Sequence, residues 1–127
     1  MKENKISIII NKPVKEVFEY TTNPINTHKW FDSIAVEESS EYPPILGSEY
    51  RSHGGDGNWE KYTVSDIQPY EIFELSCEDN IYHVRYTYKY LDENKTEVEY
   101  FEWVDDGELE NIAEIDVLNK LKGLMEN

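Results

Sequence analysis

The chain has 127 residues, 27 acidic against 12 basic, and a formal net charge of −15 with a pI near 4.4. That length suits one domain with its own core, and 10 Tyr, 4 Phe and 3 Trp within an apolar fraction of 39% exclude wholesale disorder. So anionic a surface disfavours nucleic acids and anionic lipids as partners, and no run approaches the roughly 18–20 apolar residues of a membrane helix.

The opening residues Met1 to Ile8 lack the apolar stretch and cleavage site of a secretory leader. Cys77 stands alone, which allows no internal disulfide and predicts a reducing, cytoplasmic setting. Ile6, Ile8 and Ile10 alternate with other residues and predict a short strand. Pro13 suits the first turn of a helix, and Val14, Val17, Phe18 and Thr21 follow at helical spacing. Asn23-Pro24 stops that helix and can cap a second short one ending near Trp30-Phe31. Both are too short to be stable alone.

From residue 32 the pattern changes to strands. Ile34 and Val36 alternate, Tyr42-Pro43-Pro44 interrupts, and a strand is predicted from Gly47 to His53. The glycines of Gly54–Asn58 predict a turn, placed at a hairpin tip beside the mouth of any cavity. Strands follow over Trp59–Ile67, Tyr70–Cys77, Ile81–Leu91 and Thr96–Val104, joined by short turns in an antiparallel meander. After Asp105-Asp106-Gly107, an amphipathic helix is predicted from Glu108 to about Met125. Its stripe is Leu109, Ile112, Ile115, Leu118, Leu121 and Leu124 or Met125, with acids early and lysines late, as the helix dipole favours. The whole is one α+β domain over residues 1–127, in which the helix stripe covers the greasy face of the sheet.

The stretch Ile8 to Tyr20, followed by Asn23-Pro24 and Trp30, resembles the opening of the START/Bet v 1-like (SRPBCC) superfamily, in its polyketide cyclase/dehydrase and lipid-transport branch. Gly47 to Tyr50, Tyr62 to Val64 before Pro69, and Thr96 to Tyr100 are similar to its later strands. The resemblance implies a helix-grip fold: a curved seven-stranded antiparallel sheet wrapped around a long C-terminal helix. Two short helices after strand 1 close one end, and a cavity lies between sheet and helix.

Alternation along the longest strand puts Tyr82, Val84, Tyr86, Tyr88 and Tyr90 on one face and His83, Arg85, Thr87 and Lys89 on the other. The first set faces inward, because burying the second would strand two cations. Phe73, Leu75 and Cys77 face inward by the same rule, with Tyr62, Val64, Val98 and Tyr100. Such rings either fill a core or line an apolar pocket. For a ligand-binding protein the wall residues would be Tyr50, Tyr62, Phe73, Tyr86, Tyr88 and Tyr100, with Trp30 and Phe31 near the entrance.

Glu102 is the exception, a carboxylate on the face of Val98, Tyr100 and Val104. It could move protons, anchor a ligand or serve the structure, while a bulge at Phe101 and Trp103 would turn it outward. The three histidines share no metal-ligand spacing, no cofactor is implied, and no Ser/His/Asp arrangement is identifiable. The main expectation is a binder of a small hydrophobic or amphipathic molecule. The alternatives are a cyclase/dehydrase-like enzyme using Glu102 and an interaction module, related to chaperone-stimulating domains, using outward Phe101 and Trp103. A homodimer is left open.

Overall fold

The computed structural model describes residues 1–127. In chain order the elements are β1 (Glu3–Ile10), α1 (Val14–Thr22), a 3-10 helix (Pro24–Lys29), β2 (Val36–Ser39), β3 (Glu49–His53) and β4 (Glu60–Gln68). They continue with β5 (Ile72–Cys77), β6 (Tyr82–Asp92), β7 (Lys95–Val104) and α2 (Ile115–Glu126). The seven strands form one antiparallel sheet in the order β1-β7-β6-β5-β4-β3-β2. An α+β domain with this sheet and a C-terminal helix agrees with the sequence reading.

The breaks arise where the sequence places them. Pro13 precedes α1, and its carbonyl accepts the Val17 N–H. The Asn23 side chain then accepts the Ile25 N–H, and Pro24 needs no partner in the first turn of the 3-10 helix. A bulge between Val64 and Asp66 interrupts the β4–β5 register, where an unpaired residue bends the strand.

Two expectations need correction. The C-terminal helix starts at Ile115, not at Glu108. Gly107 and Asn111 both have positive φ, and the Ala113 N–H and C=O are taken by the Glu102 and Asn4 side chains. Backbone committed elsewhere cannot start a helix. Leu118 and Leu121 are fully buried as expected, whereas Ile112 and Ile115 are exposed. The second correction concerns β2, where Val36 is exposed and Glu37 and Ser39 take the inner face. The four-residue edge strand pairs Glu37 with buried Ser52 and Ser39 with buried Tyr50, so its partner β3 sets its facing.

The core lies between the inner face of the sheet and the helices. Val17 and Phe18 of α1, Trp30, and Leu118 and Leu121 of α2 meet Tyr50, Val64, Phe73, Tyr86, Tyr88, Val98 and Tyr100 of the sheet. Lys120 pairs with Asp32, and Lys122 donates to the Ile9 carbonyl, which fixes α2 across the β1 edge.

Candidate functional site

Period-2 alternation delivers the aromatic residues to one surface. Tyr50, Phe73, Tyr86, Tyr88, Tyr100 and Trp30 are buried, and Phe31 and Tyr62 are partly so. All eight predicted wall residues thus come together on the inner side. Trp30 lies 4.7 Å from Phe31 and edge-on to Tyr86 at 6.2 Å, measured between ring centroids. Tyr86 meets Tyr100 edge-on at 5.3 Å and Phe73 at 6.1 Å, and Tyr50 meets Phe73 at 5.4 Å.

Buried hydroxyls need partners, and most of these have one. The Tyr50 hydroxyl donates to the Thr22 carbonyl at 2.7 Å, and Tyr88 shares a 2.6 Å hydrogen bond with Thr21. Tyr82 donates to Glu102 and Tyr62 to Glu60. Burial, as the main cause, raises the phenols of Tyr50, Tyr62, Tyr82, Tyr86, Tyr88 and Tyr100 above their ordinary range, so all are neutral donors at physiological pH. Tyr86 is only 6% exposed, yet its hydroxyl makes no hydrogen bond to the protein. The Trp30 indole Nε1–H, in a side chain 1% exposed, is buried with no partner at all.

Glu102 is inside. The β6–β7 register runs unbroken from Tyr82–Val104 to Tyr90–Thr96, so no bulge turns it outward. Its Oε1 accepts the Tyr82 hydroxyl at 2.8 Å, and its Oε2 accepts Asn4 Nδ2 at 3.0 Å and the Ala113 N–H at 2.8 Å. Asn4 Nδ2 also donates to the Ala113 carbonyl at 2.7 Å. Glu102 and Asn4 thereby clasp the segment that leads into α2.

A second carboxylate was missed by the sequence reading. Glu37 Oε1 accepts the Thr27 hydroxyl at 2.5 Å. Burial pushes the Glu37 carboxyl up to about 7, against the opposing effect of that hydrogen bond. Its charge is felt by the Tyr50 and Tyr86 hydroxyls. The available signal was inward Tyr50 two residues before Ser52 on β3, but the β2 register needed to exploit it is hidden in a nine-residue connection.

The outer face carries a chain of polar groups. Ser65 donates to Glu74 at 2.7 Å and Ser76 to Ser65 at 2.8 Å. His83 Nδ1 lies 2.7 Å from Ser76 Oγ, and His83 Nε2 lies 2.7 Å from Asp105. This brings together a serine, a histidine and an aspartate that the sequence reading could not connect. Ser76, one residue before the end of β5, is paired with Thr63 of β4 and His83 of β6, so its own backbone is held within the sheet. The arrangement is a structural brace. Phe101 and Trp103 stack on each other at 5.0 Å, with Trp103 against His83 and Lys5 over Phe101, and are half-buried.

Two surface recesses accompany these features. One of about 530 Å³ is lined by α1, Asn23, Asn26, Tyr42 and the end of α2, and one of about 250 Å³ by Glu38, Glu49, Arg51 and two serines. Neither is lined by any of the eight predicted wall residues.

No protein-family model matches the sequence, and no curated protein matches it. Among solved structures, the chain is similar to a conserved protein of unknown function, EF2215 from Enterococcus faecalis. The identity is 16% and the TM-score 0.77, over 97% of this chain and 70% of that one. It is also similar to the di-domain ARO/CYC protein BexL from the BE-7585A biosynthetic pathway, at 12% identity and a TM-score of 0.64. That match covers 82% of this chain and 36% of BexL, so the chain spans about a third of that protein. The Aha1 dimer from Colwellia psychrerythraea is similar at 13% identity and a TM-score of 0.61, over 98% of this chain and 90% of that one. At these identities the likeness to EF2215, BexL and Aha1 is one of fold.

Proposed function

We propose that the protein binds a small hydrophobic or amphipathic molecule at its aromatic inner face, between the sheet and α2 in the manner of a helix grip. The observation that carries this reading is the unpartnered Trp30 indole N–H among buried rings. A protein interior seldom leaves a buried donor unmade, because each costs about 1–3 kcal/mol. A ligand that supplies the missing partner removes that cost. Aromatic walls with few polar atoms suit a flat apolar molecule. A catalytic role for Glu102 has less support, since both its oxygens are engaged by the protein's own donors. Native mass spectrometry of the purified protein tests the reading. A bound small molecule that is released on denaturation supports it. An unliganded protein that also takes up no apolar probe overturns it.

A further inference from the structure

We infer that the recess of about 530 Å³ between α1, Tyr42 and the end of α2 binds an organic cation, an ammonium group carried on a compact apolar body. The site lies apart from the aromatic interior and does not depend on the ligand-binding reading above.

Helical spacing builds its first wall. Val17, Phe18 and Thr21 turn one side of α1 into the core, which leaves Glu16, Glu19, Tyr20 and Asn23 along the recess. Leu124 and Met125 of α2 supply an apolar wall, with Leu124 39% exposed. Tyr42 closes a third side, its hydroxyl donating to the Glu19 carbonyl at 3.0 Å. Asn26 donates to the Tyr20 carbonyl at 3.2 Å, and its side-chain oxygen accepts Lys29. The chain's own hydrogen bonds thus hold the walls in place, and the volume is that of a small-molecule site.

Charge selects the class of ligand. Glu16 and Glu19 take part in none of the ion pairs of the structure, so both carboxylates are free to meet a cation. Lys12 is the one cation on the walls, a single ammonium against two carboxylates. Both helices also end here, and neither has a basic residue in its last turn. Their carbonyl ends add partial negative charge that no side chain there offsets. Lys122, one turn back, is held by the Ile9 carbonyl and Glu126. The rings of Tyr20 and Tyr42 add electron-rich surface that attracts a cation. An anion would meet the two carboxylates, and a neutral apolar molecule would leave them unused.

Hexyltrimethylammonium, 1-hexanol and hexanoate share an apolar tail, differ in charge and serve as probes. Binding is followed residue by residue by NMR, with the Leu124 and Met125 methyls and the Tyr20 and Tyr42 rings reporting on the recess. The cation is expected to bind there about tenfold tighter than hexanol, from one exposed ion pair and one cation–ring contact. Hexanoate should bind most weakly. Glu16→Gln combined with Glu19→Gln should abolish the preference, and both side chains are exposed, so the fold should persist by circular dichroism. Lys12→Gln should instead tighten binding of the cation, a readout that survives if the double variant does not fold. Hexanol or hexanoate binding the recess as tightly, a preference that outlasts the double variant, no gain in Lys12→Gln, or no shift at these residues overturns the inference. A cation that shifts residues 105–116 as strongly as the recess also overturns it, as diffuse attraction to an acidic surface. None of these outcomes bears on Trp30 and the interior.

Discussion

The interior holds two glutamates, and they are finished in opposite ways. Glu102, on β7 opposite Asn4 of β1, is 2% exposed and has three donors on its two oxygens. Glu37, on the edge strand β2, has a single hydroxyl from Thr27, and close by lie an indole N–H and a phenol with no partner. Burial of a carboxylate therefore does not by itself mark a chemical site. Saturation separates the two: the completed group holds the fold, and the incomplete cluster has valences left for another molecule.

Breaking the saturated end should have the larger effect. Glu102→Leu leaves the Tyr82 hydroxyl and the Ala113 N–H without an acceptor and the Asn4 amide with the Ala113 carbonyl alone, and should cost about 3–5 kcal/mol by urea denaturation. It should also make residues 105–114 more open to proteolysis, since the Glu102 half of the clasp at Ala113 is lost. A loss below about 1 kcal/mol would mean that the two carboxylates are less different than their contacts.

The open end should respond to pH. The folded Glu37 carboxyl titrates near 7 and the unfolded one near 4.5, so between those values the folded chain holds a proton that the unfolded chain lacks. Stability from this group is thus present at low pH, falls as pH rises from about 4.5 to 7, and is flat beyond. Glu37→Gln keeps an acceptor for Thr27 and removes the titration. It should stabilise the protein by about 1–3 kcal/mol at pH 8 and hardly at all at pH 4.5. The difference between the two proteins' unfolding curves across pH isolates the effect from the other acids. A difference independent of pH would show Glu37 to be solvated like any surface carboxylate.

The tyrosines give the smallest and sharpest contrast. Tyr88→Phe should cost about 1 kcal/mol, because the Thr21 hydroxyl loses a buried partner. Tyr86→Phe removes a hydroxyl with no protein partner and should leave stability within about 0.5 kcal/mol of the original. Equal costs in thermal unfolding would indicate that Tyr86 has a partner after all.

Much of this was legible in the residues. The long strands β6 and β7 announce their faces over ten or eleven residues, so the inward aromatic set and Glu102 follow from alternation. Glu37 was not legible, since β2 has only four residues and takes its facing from β3 across a connection whose path the sequence does not encode locally. The late start of α2 was hidden for a similar reason. Leu109 and Ile112 keep helical spacing, but distant Asn4 and Glu102 compete for the backbone at Ala113. Ser65, Ser76, His83 and Asp105 come from β4, β5, β6 and the segment after β7, and only the sheet's register assembles them.

The strand order has a consequence in time. Strands β2 to β7 each pair with the next in the chain, but β1 lies against β7, with Glu3 opposite Trp103. During synthesis at roughly 5–20 residues per second, the isoleucines of β1 would wait about 5–20 s before a pairing partner emerges. The meander can close while it is being made, whereas the first strand made is among the last to find its place. The β1 amides should therefore be the last in the sheet to gain protection in pulsed hydrogen exchange. Any factor that delays β7 prolongs the exposure of an Ile-Ile-Ile edge to other chains.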